Sequence, residues 1–147
     1  NMNMPFGFGI HPFFNFDDQI ELKFKAEREW IGPPEDFPTK TKLVKNNFNI
    51  NDGNKLWKLE KTVCYENFEG DVQISWVNKN KKIKINADKI FNHLIVHVPK
   101  GGKYFCIEPV SHPTDSFNLI DKKIENIKNQ FLKPNESFTG SIKIVVN

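Results

Sequence analysis

Apolar and charged residues alternate along three stretches of this chain, in the pattern typical of half-buried β-strands. The stretches are "IELKFKAE" (20–27), "DVQISWV" (71–77) and "KIKINAD" (82–88). Successive side chains of a strand point to opposite faces, so each stretch has one apolar and one polar face. We therefore expect antiparallel strands with one face turned toward a core.

Two further stretches are apolar almost throughout, which indicates strands covered on both faces. They are "HLIVHVP" (93–99) and "KYFCIEP" (103–109), and the short glycine-containing turn between them predicts a hairpin. A last strand is predicted at "SIKIVV" (141–146). With 147 residues the chain fits one domain, and we expect an all-β sandwich rather than an α/β fold.

One segment departs from this pattern. Ile120, Ile124, Ile127 and Phe131 recur at helical spacing within residues 118–132, which makes a short surface helix the alternative to a loop there. The proline-rich stretch "GPPEDFP" (32–38) is predicted to be a long connection.

The charge pattern argues against nucleic acid and membrane as partners. The formal net charge is +3, yet among the basic residues only Arg28 is an arginine, the residue that most often reads guanine and phosphate. The lysines alternate with isoleucine and asparagine, as on a solvated strand edge. There is no apolar run of about 18 residues. Neither is a signal peptide visible, and we expect a cytoplasmic protein.

The cysteines and two of the histidines have simple structural interpretations. Cys64 and Cys106 are far apart in sequence and form no CxxC motif, so we expect reduced core thiols rather than a disulfide framework. His93 and His97 lie four positions apart in a predicted strand, which separates them by about 13 Å. We expect ordinary strand residues there, not a shared metal site.

His11 lies in an unusual apolar run, "PFGFGIHPFFNF" (5–16). Gly7 and Gly9 permit close approach of the backbone, and Pro12 restricts His11 to an extended conformation. Taken alone, a structural histidine bonded to a nearby carbonyl is the simpler interpretation. A metal ligand and a catalytic acid are the alternatives.

Glu108 ends an apolar strand at the start of "EPVSHPTDSFN" (108–118). Pro109 and Pro113 remove backbone donors and fix the turn that follows, so the glutamate is expected to be rigidly placed. Such a carboxylate either turns to solvent or lies in a pocket that shifts its pKa.

Three separated motifs resemble the second half of the aldose 1-epimerase (galactose mutarotase) family. "MPFGFGIHPFF" is similar to the family's "PFGxGxHPYF", "FCIEPVSHPTDSFN" to "CxEPxTxxPDAFN", and "FLKPNESFTGSIKIVV" to an "LxPGES" loop before a final strand. Their order and spacing agree over essentially the whole chain, although Asn135 replaces the usual glycine.

This resemblance implies an antiparallel β-supersandwich of which residues 1–147 are the C-terminal part. It also implies an isomerase that interconverts the α and β anomers of free aldohexoses such as glucose or galactose, with no cofactor and no metal. Glu108 matches the family's general base on the anomeric hydroxyl, and His11 matches the general acid on the ring oxygen. Opening a cyclic hemiacetal requires such a pair, because one proton leaves the C1 hydroxyl while another reaches the ring oxygen.

The sugar contacts are less well matched. The family's acidic "LDxxF" stretch corresponds to "VCYENF" (63–68), with Tyr65 in place of the aspartate and Glu66 beside it. Aromatic side chains suit the apolar face of a sugar, and Phe14 and Trp30 are candidates. The candidate substrate-binding residues are therefore Phe14, Trp30, Tyr65 and Glu66.

The family's first half supplies an arginine and a second histidine that have no counterpart in this sequence. We therefore expect the N-terminal half of the same protein as a partner, on a separate chain or fragment, and an unstable monomer without it. The alternatives are a non-catalytic carbohydrate-binding domain of the same fold and an epimerase acting on a related sugar or sugar phosphate. A sugar-phosphate epimerase would need a basic phosphate pocket, and a chain with a single arginine gives this alternative little support.

Overall fold

The computed structural model describes residues 2–16, 20–32, 37–44, 48–50, 60–124, 127 and 130–147. The strands of this part of the chain are β1 (Met4–Phe6), β2 (Phe13–Asn15), β3 (Ile20–Phe24), β4 (Arg28–Ile31), β5 (Lys40–Leu43), β6 (Phe48–Ile50), β7 (Thr62–Glu66), β8 (Asp71–Trp76), β9 (Lys81–Ala87), β10 (His93–His97), β11 (Tyr104–Val110), β12 (Gln130–Leu132) and β13 (Ile142–Val146). A 3-10 turn spans Val77–Lys79, and the helix α1 spans Ser116–Asp121.

The strands form two large antiparallel sheets and one small one. The six-stranded sheet has the order β2–β11–β10–β7–β4–β5, and the five-stranded sheet has the order β13–β9–β8–β3–β6. Strands β1 and β12 pair separately. This architecture confirms the predicted all-β sandwich, and the β10–β11 pairing confirms the predicted hairpin.

The core lies between the inner faces of the two large sheets. Leu22, Ile74 and Ile85 of the five-stranded sheet are fully buried. From the six-stranded sheet, Leu94 and Ile107 meet them in the same cluster. The period-two alternation seen in the sequence places these side chains on one side of their strands.

The opposite face of the six-stranded sheet, called here the outer face, is also partly covered. Trp30 of β4, Cys64 of β7 and Leu119 of α1 form a second buried cluster on it, with Ile95 packed alongside. This cluster covers part of the outer face, where Ile95 of β10 packs against it, in agreement with the cover predicted for both faces of β10 and β11.

The predicted helix over residues 118–132 is only partly correct. Helix α1 spans Ser116–Asp121, and Lys123 has a positive φ of 53°, a conformation that commonly ends a helix. Phe131 belongs to strand β12 instead of a helical face. Ile124 and Ile127 still pack against the Trp30 cluster. Residues 125, 126, 128 and 129, and 33–36 of the proline-rich connection, lie outside the described residues.

Candidate active site

The segment before His11 is fastened to the end of β11 by backbone contacts. The Phe8 amide donates to the Ser111 hydroxyl at 3.0 Å, and the Ser111 amide donates to the Phe8 carbonyl at 3.0 Å. Gly9 forms a bridge with Val110. A Cβ at Gly9 would lie 2.6 Å from the Val110 Cγ1 atom, so this close approach requires glycine.

This fastening places His11 beside Glu108, although the two residues are far apart in sequence. The His11 Nε2 atom lies 3.3 Å from the Glu108 Oε1 atom. The imidazole is 56% exposed and the carboxylate only 9% exposed. A solvent-accessible imidazole thus contacts a carboxylate held in the protein, which is an arrangement suited to general acid–base chemistry.

Burial governs the electrostatics of Glu108. Removal from water raises the pKa of its carboxyl, and the nearby positive charge of protonated His11 lowers it in part, with a net increase. A carboxylate with a raised pKa is a stronger base when ionised. The site therefore favours a proton acceptor at Glu108.

An aromatic platform holds the His11 ring. The Phe13 ring stacks on the imidazole at 4.8 Å between centroids and 12° between planes, and Phe13 in turn contacts Tyr104 at 5.1 Å. Phe13 is 62% exposed. It lies on the outer face, opposite Cys106. Phe13 is therefore an exposed aromatic side chain that the structure presents next to His11 and Glu108.

Two of the predicted sugar contacts face the sandwich core instead of this site. Phe14 is opposite Phe105 and packs against its ring at 5.6 Å. Tyr65 is 1% exposed and meets Phe24 edge-on at 5.0 Å. Both are inward-facing members of alternating strands, so the structure does not bring them together with His11 and Glu108.

Glu66 lies on the outer face, as the neighbour of Tyr65 must. It is 4% exposed and is opposite His93 of β10 and Arg28 of β4. The Arg28 Nε atom lies 3.9 Å from the Glu66 Oε2 atom and donates to the Thr41 hydroxyl at 2.7 Å. The carboxylate that shares a face with Glu108 is therefore Glu66, one position beyond the residue matched to the family's aspartate.

Trp30 also lies on the outer face but is 6% exposed beneath Leu119. Its indole nitrogen is buried and has no hydrogen-bond partner in the described structure. The ring belongs to the second hydrophobic cluster and does not present a flat surface to solvent.

His93 and His97 contact different partners. The His93 Nδ1 atom lies 2.6 Å from the Asn92 side-chain oxygen, and the His97 Nδ1 atom lies 2.8 Å from the Thr62 hydroxyl. The sequence missed that His93 is fully buried on the outer face. The strand register supplies the signal, since it sets His93 between Glu66 and Val110.

Both cysteines are buried and form no disulfide in the described structure, in agreement with the predicted core thiols. Burial raises the pKa of Cys64 to about 12 and that of Cys106 to about 11. Cys106 has a feature that the sequence did not indicate: its sulfur, a His11 ring nitrogen and a Glu108 oxygen all lie within 4.8 Å of one another. These three side chains are a donor set that is able to hold a metal ion.

The antiparallel sandwich matches the fold of galactose mutarotase-like structures. The model of the aldose 1-epimerase family matches residues 1–145. The chain belongs to the aldose 1-epimerase family, which confirms the resemblance seen in its motifs.

Solved structures agree in fold. A protein from Escherichia coli K12, provisionally assigned as an aldose 1-epimerase, superposes with a TM-score of 0.78 at 20% identity, over 99% of this chain and 51% of that one. A galactose mutarotase-like protein from Clostridium acetobutylicum gives 0.73 at 19% identity, over 99% and 48%. One from Lactobacillus casei gives 0.65 at 17% identity, over 99% and 53%. The chain thus spans about half the length of these structures.

The chain has no match among curated protein sequences. In the part that the structure describes, no helix is long and apolar enough to cross a membrane.

Proposed function

We propose that this chain carries the acid–base pair of an aldose 1-epimerase that interconverts the α and β anomers of a free aldohexose such as glucose or galactose. The observation that carries the proposal is the 3.3 Å contact between the His11 Nε2 and Glu108 Oε1 atoms. Membership of the family supports isomerase chemistry.

In the proposed reaction, the Glu108 carboxylate accepts the proton of the C1 hydroxyl while protonated His11 donates a proton to the ring oxygen. The bond between C1 and the ring oxygen breaks, and C1 becomes an aldehyde. Rotation about C1–C2 presents the other aldehyde face. His11 then takes the proton from the attacking hydroxyl as Glu108 returns one to the aldehyde oxygen, so both groups regain their starting states.

We propose that two outer-face residues contact the sugar. Phe13 offers an exposed ring beside His11 for the apolar C–H face of the substrate. Glu66 lies two strands from β11, about 10 Å across the sheet. Its carboxylate, which is next to Arg28, would accept hydrogen bonds from sugar hydroxyls. Phe13 thus takes the aromatic contact that the sequence had suggested for Phe14, and Glu66, also predicted from the sequence, takes the polar contact without Tyr65.

We further propose that the remaining sugar contacts come from an N-terminal half of the same protein. The family's arginine and second histidine have no counterpart here, and the chain covers about half of its structural neighbours. Size analysis of the 147-residue chain with and without the other half tests this. A well-folded, fully active monomer of this chain alone would contradict it.

Polarimetry of freshly dissolved α-glucose and α-galactose tests the catalytic proposal on the intact protein. Loss of a general acid or base costs about 100- to 10,000-fold in rate. The mutarotation rates of Glu108→Gln and His11→Asn are therefore expected to fall by that factor. Glu69→Gln is the matched control, because Glu69 is 61% exposed and its carboxylate pairs with a surface lysine, Lys25. If the intact protein does not accelerate mutarotation above buffer, or if Glu108→Gln equals the wild type, catalysis by this site is wrong.

One observation favours a second candidate, a carbohydrate-binding domain without turnover. Tyr65 occupies the position of the family's aspartate and lies in the core, so an acidic sugar contact has been moved or lost. Calorimetry with the same sugars, combined with polarimetry, separates the two, because this candidate predicts sugar binding with no acceleration of mutarotation above the rate in buffer. A sugar phosphate is a poorer fit, since the only described arginine is next to Glu66.

A further inference from the structure

We propose that His11, Cys106 and Glu108 form a binding site for Zn²⁺ or another thiophilic cation, and that the bound ion blocks the acid–base pair. The ion binding is inferred from the distances between the donor atoms alone. The blocking rests on the proposed function, because it requires that His11 and Glu108 transfer protons.

The spacing of the donor atoms suits a tetrahedral ion. Zinc bonds of about 2.0–2.3 Å at tetrahedral angles separate neighbouring ligand atoms by roughly 3.3–3.8 Å. The His11 nitrogen and a Glu108 oxygen already lie 3.3 Å apart, and all three donors lie within 4.8 Å. Closing on an ion therefore requires a movement of about 1 Å. His11, whose side chain is more than half exposed, is the ligand with the most room to make this movement, by sliding along the Phe13 ring.

Two of the ligands come from a rigid strand. Cys106 and Glu108 are two positions apart in β11, so both side chains project from the outer face. Strand β10 fixes them from one side, where His97 is opposite Cys106 and Ile95 is opposite Glu108. Phe13 of β2 is opposite Cys106 on the other side. Such a framework holds two ligands in place before the ion arrives.

The donor chemistry selects the ion. One sulfur, one imidazole nitrogen and one carboxylate oxygen suit zinc and similar soft cations, whereas Mg²⁺ and Ca²⁺ prefer oxygen ligands. Three protein ligands leave a fourth position for water. As the sulfur–metal bond forms, the Cys106 thiol releases its proton to solvent. The same bonds occupy the lone pairs that Glu108 and His11 need for proton transfer.

Cys64 provides a matched control. It is a second buried thiol on the outer face, opposite Ile95, but it is not within the cluster of donor atoms. A general affinity of buried thiols for zinc would affect both cysteines. The proposed site involves Cys106 alone.

The test is titration of the intact, untagged protein with Zn²⁺ by calorimetry, and with Co²⁺ by absorption spectroscopy. We expect one ion per chain and a thiolate-to-cobalt charge-transfer band. Cys106→Ser and His11→Ala are expected to weaken binding by at least about 100-fold, because even indirect partners of a ligand contribute 10- to 100-fold. Cys64→Ser is expected to bind like the wild type. Mutarotation should fall as the site fills and recover on chelation.

Unchanged zinc affinity in Cys106→Ser, or cobalt binding without the charge-transfer band, overturns the site. His11→Ala alters an exposed side chain and decides the question should the Cys106 variant fail to fold. Cys106-dependent binding with undiminished mutarotation overturns the blocking. Cys106-dependent binding by a protein that never shows mutarotation supports the site and refutes the proposed function instead.

Discussion

Replacement of Gly9 by alanine tests whether the junction between the His11 segment and β11 sets the distance between the His11 Nε2 and Glu108 Oε1 atoms. The new Cβ would lie 2.6 Å from the Pro109 carbonyl oxygen and 2.6 Å from the Val110 Cγ1 atom, whereas ordinary contacts begin at 3.4 Å. The segment must therefore withdraw by about 0.8 Å, a strain that costs about 1–3 kcal/mol. The same shift lengthens the His11–Glu108 contact from 3.3 Å to about 4 Å, beyond hydrogen-bond reach.

A misplacement of about 1 Å in a catalytic group is expected to lower the rate by roughly 100-fold. Polarimetry measures this loss, and thermal unfolding measures the strain, at about 2–4 °C per kcal/mol for a chain of this size. Gly101→Ala is the control. Gly101 has a φ of 63° and open space around it, so alanine there costs about 1–2 kcal/mol in backbone strain without touching the site.

The two variants are thus expected to lose similar stability while only Gly9→Ala loses activity. A Gly9→Ala protein with wild-type mutarotation and a lowered melting temperature would refute the reasoning. It would show that the bridge between Gly9 and Val110 stabilises the fold without determining where His11 lies.

Three further predictions follow from burial and from strand faces. Burial raises the pKa of Glu108 in the folded state, so its stabilising contribution is present below the unfolded-state pKa and is lost as pH rises through the folded-state pKa. In urea denaturation, Glu108→Gln should have the same free energy of unfolding as the wild type at low pH and a higher one at neutral pH. A difference between the two proteins that does not change with pH would contradict this. Tyr65→Phe should leave KM unchanged because Tyr65 faces the core, whereas Glu66→Gln should raise KM; the reverse pattern would restore Tyr65 to the site. Leu119→Ala removes a side chain that is 1% exposed and should cost about 2–5 kcal/mol, and a loss below 1 kcal/mol would show that α1 does not seal the outer face.

Period-two alternation was sufficient to predict much of the sandwich. The segments 71–77 and 82–88 became β8 and β9, and the glycine turn after residue 99 became the β10–β11 hairpin. The helix was harder to predict, because isoleucines at helical spacing also serve as separate contacts. Ile124 and Ile127 pack onto the Trp30 cluster from beyond the end of α1.

The motifs predicted His11 and Glu108 as an acid–base pair, whereas the residues around them could be assigned only from the register of the strands. Phe13 and Phe14 are both phenylalanines, so composition cannot decide which faces the core; pairing with Phe105 decides it for Phe14. The proximity of Cys106 to His11 depends on the folding of a distant segment across the end of β11. No local pattern carries that information.

The opposed directions of Tyr65 and Glu66 in β7 have a consequence for insertions and deletions. Tyr65 fills the core and Glu66 serves the outer face, and each is bracketed by partners in β10 and β4. Adding or removing one residue just before this pair would exchange the two faces, burying a carboxylate between the sheets and exposing an aromatic ring. Substitutions at either position change one surface, but a shift in chain length changes both. Length variation in homologous chains is therefore expected in the turns on either side of β7 and not within it.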